Sequence, residues 1–136
     1  MTADTREIFQ SALALHQRGK LAQAQVLYRD ILKRDPRHFD SCHLLGLIHV
    51  QTGDPKTGIE YIAQALAIRE DFPEAHYNMG HALLDLSRPA EALASFDRAL
   101  ALNPKDPLYL FERGNALKDL GLGDEALASY EAALAI

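Results

Sequence analysis

The sequence contains one cysteine, Cys42, in 136 residues. A lone thiol cannot close an internal disulfide or build a thiolate metal cage, and it suits a reducing compartment. No run of about 18 apolar residues occurs, so no helical membrane span is expected. Residues 1–7 have no apolar stretch of the kind a secretory signal needs. No Lys/Arg block stands out: 14 basic residues are scattered among 19 acidic ones, for a net charge of −5. That balance counts against nucleic acid and anionic membrane as partners. A phosphate loop, a nucleophile elbow and a zinc motif are all missing. These absences point to a cytoplasmic protein that is not an enzyme and needs neither cofactor nor metal.

What the chain does have is repetition. Apolar residues are 48% and charged residues 24%, ordinary for one soluble domain. Stepping by 34 residues from Thr5 gives columns in phase. One column is Ala12, Gly46, Gly80, Gly114. Another is Ala24, Gly58, Ala92, Ala126. A third is Leu32, Leu66, Leu100, Leu134, and a fourth is Tyr28, Ile62, Phe96, Tyr130. The repeats are 5–38, 39–72, 73–106 and 107–136, the last truncated, after a short lead-in at 1–4.

Each repeat divides into two helical halves. Leu44, Leu45 and Ile48, then Ile59, Ile62 and Leu66, follow a 3.6-residue period rather than strand alternation. Gly19, Gly53 and Gly121 stand where a left-handed residue ends a first helix. Asp54-Pro55 and Asp106-Pro107 read as an N-cap followed by proline at the first helical position. Asp4 with Glu7 suits a capped start of the first helix. Helices are expected near 5–18, 21–34, 39–52, 55–69, 73–86, 89–102, 107–120 and 123–136. The fold class is all-α. Small residues on one helix let its partner approach closely, and stacking of the thin pairs completes the core.

These columns resemble the tetratricopeptide repeat, from Thr5 to the end of the chain. The third unit carries His76, Met79, Gly80 and Leu83, then Ala92 and Phe96, then Pro104. The second carries Cys42, Leu45, Gly46 and His49, then Gly58 and Ile62, with Glu70 in place of proline. The first carries Ile8, Ser11, Ala12 and Leu15, then Ala24, Tyr28 and Pro36. The fourth carries Leu110, Arg113, Gly114 and Leu117, then Ala126 and Tyr130. No unit has the family's tryptophan. The resemblance implies a right-handed superhelical solenoid of four helix-turn-helix repeats, with first helices lining a concave groove that holds a partner peptide or domain. The wording of the third and fourth units is also similar to bacterial arrays, some of which precede a transferase of the O-linked N-acetylglucosamine type. The basic clamp with which some family members hold acidic C-termini is not expected, because Phe9 and His43 stand where lysine is wanted.

Within that groove, Phe9, His43, Tyr77 and Phe111 form a ladder of rings at 34-residue spacing. Beside them run Leu13, Leu47, His81 and Asn115, and then His16, Val50, Leu84 and Lys118. Rings supply contact area at low entropy cost, and Asn78 and Asn115 can pair with a peptide backbone. The competing reading packs each ring between neighbouring helices. Six histidines include no i, i+4 pair, so a metal site is not expected. Cys42 shares a packing column with Ile8, His76 and Leu110 and reads as a buried thiol. The periodic carboxylates Asp85 and Asp119 read as a solvated face.

The chain stops inside its last expected helix, which leaves Tyr130 and Leu134 without a covering helix. A fragment of a longer array explains this, and so does self-association through that end, with the fragment favoured. The expected function is a protein-interaction scaffold. The alternatives are a substrate-recognition arm of a larger enzyme, such as a bacterial glycosyltransferase, and a self-assembly module.

Overall fold

The computed structural model describes residues 3–136 and contains eight helices, with no strand among the described residues. They are α1 (Ala3–Gln17), α2 (Leu21–Arg34), α3 (Phe39–Gln51), α4 (Pro55–Ile68), α5 (Pro73–Asp85), α6 (Pro89–Leu102), α7 (Pro107–Asp119) and α8 (Gly123–Leu134). All eight expected helices are present, their ends displaced by one or two residues. The first starts at Ala3, so Asp4 lies in its first turn rather than at a cap. Residues 1 and 2 of the expected lead-in fall outside the described residues.

The punctuation works as the residue types dictate. The Asp54 carboxylate accepts from the Thr57 N–H at 3.3 Å. The Asp106 carboxylate accepts from the Leu108 and Tyr109 N–H groups at 2.9 and 3.2 Å. Proline follows each of them in the first turn, where a missing N–H costs nothing. His38 caps α3 through its Nδ1, which accepts from the Ser41 N–H at 3.2 Å. Sequence reading missed that cap because imidazole is not a favoured capping group.

The first helices end in left-handed residues. Gly19, Gly53 and Gly121 have φ of +75°, +86° and +78°. The next N–H then bonds back to the helix, as from Lys20 to the Leu15 carbonyl at 2.9 Å. Ser87 occupies the same repeat position with φ +57°, and Arg88 closes the turn on Leu83 at 2.9 Å. A side chain there is strained by about 1 kcal/mol. Ser87→Gly is therefore expected to raise stability by about 0.5–1 kcal/mol, seen as a higher urea midpoint. A lower midpoint would show that the serine contributes more than its backbone costs.

The helices form two compact units, residues 1–70 and 71–136. In the first, α1 packs on α2, and α3 packs on both α2 and α4. Ala12, Ala24, Tyr28, Ile31, Leu45 and Ile48 form its core. In the second, α5 packs on α6, and α7 packs on α6 and α8.

Within three of the pairs a glycine lies against a large side chain. A Cβ on Gly80 would fall 2.6 Å from the Phe96 ring, one on Gly114 2.5 Å from the Tyr130 ring, and one on Gly46 2.7 Å from Ile62. The tightest seam is α3–α4, where both small columns are glycine. Added Cβ atoms on Gly46 and Gly58 would lie 2.9 and 2.8 Å from each other's carbonyl oxygens. The two backbones nearly touch there, and no side chain fits between them.

Candidate partner-binding faces

In the first unit, Phe9 is half-buried. Its ring centroid lies 6.1 Å from Tyr28 and 5.2 Å from His38. Leu13 and Leu47 are also half-buried. One of the expected groove residues is placed otherwise. His43 is only 3% exposed and stacks on Phe39 at 6.0 Å, so its ring is part of the packing and not a solvent-facing rung. Burial pushes its pKa down to about 4, against the pull of nearby Asp40. Val50 is half-buried, with a methyl 2.5 Å from where a Cβ on Gly58 would stand, at the edge of the α3–α4 seam. The glycine has no side chain of its own, and valine takes the space.

In the second unit, Tyr77 stacks on Tyr109 at 5.1 Å and lies 5.9 Å from Phe96 and 6.2 Å from His81. Its hydroxyl is pushed up to about 12, first by burial and then by Glu112, Asp106 and Tyr109. Tyr109 was not legible as a partner, because its column is Glu7, Ser41 and Ala75 and carries no aromatic period. Asn78 is half-buried. His81 faces the Asp85 carboxylate at 3.7 Å. The Asn115 carbonyl accepts from the Tyr130 hydroxyl at 2.6 Å, and its amide donates to Glu112 at 3.4 Å. Asn115 thus holds Tyr130 in place through one of the two lone pairs of its carbonyl oxygen. Lys118 is exposed.

Phe111 is the exposed rung, 47% accessible and 5.5 Å from Tyr130. Phe111, Tyr130, Ala133 and Leu134 line an apolar pocket of about 220 Å³. Leu134 stands 87% exposed at its edge. A ring half out of water beside an apolar hollow is the local signature of a contact surface.

Cys42 and His49 serve packing. Cys42 is buried, and burial, with Asp35 behind it, pushes its thiol up and away from the thiolate. His49 accepts at Nε2 from Gln25 at 3.0 Å and from Arg29 at 3.4 Å, while its Nδ1 faces Asp54 at 3.5 Å. Among the described residues no group of three His, Cys, Asp or Glu side chains converges as a metal site requires. No described helix is long and apolar enough to cross a membrane.

Four helix pairs at a 34-residue period, three of them with a glycine facing a large side chain, place the chain in one class. The chain belongs to the tetratricopeptide repeat family. A family model described as tetratricopeptide repeat matches residues 77–136. Another, described as anaphase-promoting complex, cyclosome, subunit 3, matches residues 17–99. The photosystem I assembly protein Ycf3 of Acaryochloris marina (strain MBIC 11017) is 29% identical over 97 residues, 69% of this chain. The match spans 58% of the length of that curated relative.

Among solved structures, a crystal structure of MamA superposes with a TM-score of 0.87 at 25% identity over 92% of this chain and 73% of its own. A MamA double mutant reaches a TM-score of 0.91 at 18% identity over 98% of this chain and 75% of its own. The fold is that of a tetratricopeptide solenoid. Nothing in these matches favours an enzyme's repeat arm.

Proposed function

We propose that the chain holds a peptide or helix of a partner protein against the faces of its first helices, with Phe111 as the anchor of the second unit. The observation that carries this reading is the 47% exposed Phe111 ring above the apolar pocket it shares with Tyr130, Ala133 and Leu134. Tyr77, Asn78, His81, Asn115 and Lys118 surround that anchor as a polar and aromatic margin. In the first unit, Phe9, Leu13 and Leu47 play the same part. A cytoplasmic setting agrees with the lone cysteine, and a bacterial one with the resemblance of the third and fourth units to bacterial arrays. The partner is a protein, and neither nucleic acid, membrane, cofactor nor metal enters the reading. Ycf3 is, by name, a photosystem I assembly protein, which agrees with a holding role.

A second reading, supported by the 87% exposed Leu134, places another copy of the chain on the same pocket. A photo-crosslinking residue at position 111, with a control at the exposed Arg98 on α6, separates these outcomes in cells. A discrete adduct from position 111 that disappears with Leu134→Asp is expected. An adduct of twice the chain's mass assigns the pocket to self-association. Equal labelling from positions 98 and 111 would remove the assignment.

A further inference from the structure

A second surface lies on the second helices of the first unit. Both α2 and α4 pack on α3, and a cleft of about 330 Å³ lies between them. Arg29, Leu32 and Lys33 of α2, Pro36 beyond its end, and Tyr61 and Gln64 of α4 line it. The volume is in the range of ligand-binding clefts. Leu32, Pro36 and the Tyr61 ring give it an apolar floor. The Arg29 and Lys33 head groups, with the Gln64 amide, give it a donor-rich rim.

The rim is held from beneath. Tyr61 stacks on His49 at 5.6 Å with the rings 10° apart. The same imidazole, 8% exposed, accepts from Arg29 at 3.4 Å. One buried ring therefore orients both the aromatic floor and one of the cations. Arg34 is occupied by Asp30 at 3.4 Å. Among the described residues, neither Arg29 nor Lys33 makes an ion pair. Four basic residues, Arg29, Lys33, Arg34 and Arg37, fall within residues 29–37 of a chain that is acidic as a whole. Two unpaired cations over an apolar floor complement a carboxylate carried next to an apolar side chain.

We propose that this cleft is a separate docking site for an acidic segment of a partner protein, in which a Glu or Asp carboxylate bridges Arg29 and Lys33 and a neighbouring aliphatic side chain lies on Leu32 and Tyr61. The site is distinct from the Phe111 pocket and does not depend on it.

The test uses a fluorescein-labelled nonapeptide of alternating glutamate and leucine, titrated into the whole chain by anisotropy and mapped by ¹H–¹⁵N spectra. Binding is expected, with amide shifts centred on Leu32, Tyr61 and Gln64. Arg29→Gln combined with Lys33→Gln is expected to weaken it about tenfold or more, with unchanged helicity. Replacing the peptide's glutamates by glutamine should have the same effect, and Phe111→Ala should have none. Absence of binding at millimolar peptide overturns the proposal. So do shifts confined to Tyr77 and Phe111, which would assign the peptide to the other face. Displacement by millimolar inorganic phosphate, with no dependence on the leucines, would make the cleft an anion site and equally overturn peptide docking.

Discussion

Phe96→Ala is expected to destabilise the second unit by about 3–5 kcal/mol, the cost of emptying a large buried ring site. Phe96 is fully buried, and its ring lies directly over Gly80. The glycine has no side chain with which to fill the hole. Coupling to position 80 makes the prediction sharper. In the native background, Gly80→Ala drives a Cβ to 2.6 Å from the ring and costs about 1–3 kcal/mol, although alanine is the better helix former. In the Phe96→Ala background the same change meets no ring, and the helix preference of alanine makes it neutral or favourable by about 1 kcal/mol. A double-mutant cycle by urea denaturation reads this reversal of sign directly. Additive effects would mean that α5 and α6 are not held by this contact.

The second large effect is on acid stability. His43 is buried with its pKa pushed down to about 4 by burial, against the opposing influence of Asp40. In the unfolded chain an ordinary histidine takes up its proton near pH 6.5. Between these values the unfolded state binds more protons than the folded one, so stability falls as pH falls. The loss begins near pH 6.5 and reaches on the order of 3 kcal/mol near pH 4, with most of it in place before carboxylates titrate. Above pH 6.5 the residue is neutral in both states and adds no pH dependence. His43→Leu removes the titration. Its urea midpoint should stay level from pH 7 to pH 5, where that of the native chain declines. Parallel declines in both proteins would place the acid sensitivity elsewhere.

His43 also shows where sequence reading stops. It shares a column with Phe9, Tyr77 and Phe111, and on spacing alone the four are equivalent. In the folded chain one is 3% exposed and another 47%, because burial depends on what the neighbouring helices bring to each position. The contact of Val50 with Gly58 is likewise invisible in the columns, because it depends on a side chain that the glycine lacks. Asn115, placed to pair with a peptide, also holds the Tyr130 hydroxyl, a partner its column does not show. The Arg29–Lys33 cleft showed in the sequence only as a few basic residues near the end of α2, since its residues come from two helices with no shared period.

The sequence by itself determined the class of the molecule. A 34-residue period, a 3.6-residue apolar rhythm and glycines at fixed offsets are consequences of backbone geometry, and backbone geometry is local. It also determined that small columns let the helices of a pair approach closely, while the partners Gly80–Phe96 and Gly114–Tyr130 came from the structure. Tertiary structure alone decided which rings are covered, which hydrogen-bonding groups are already spent, and where cations are left without carboxylates. Those outcomes depend on side chains far apart in the chain, and exposure and charge pairing are properties of the assembled surface.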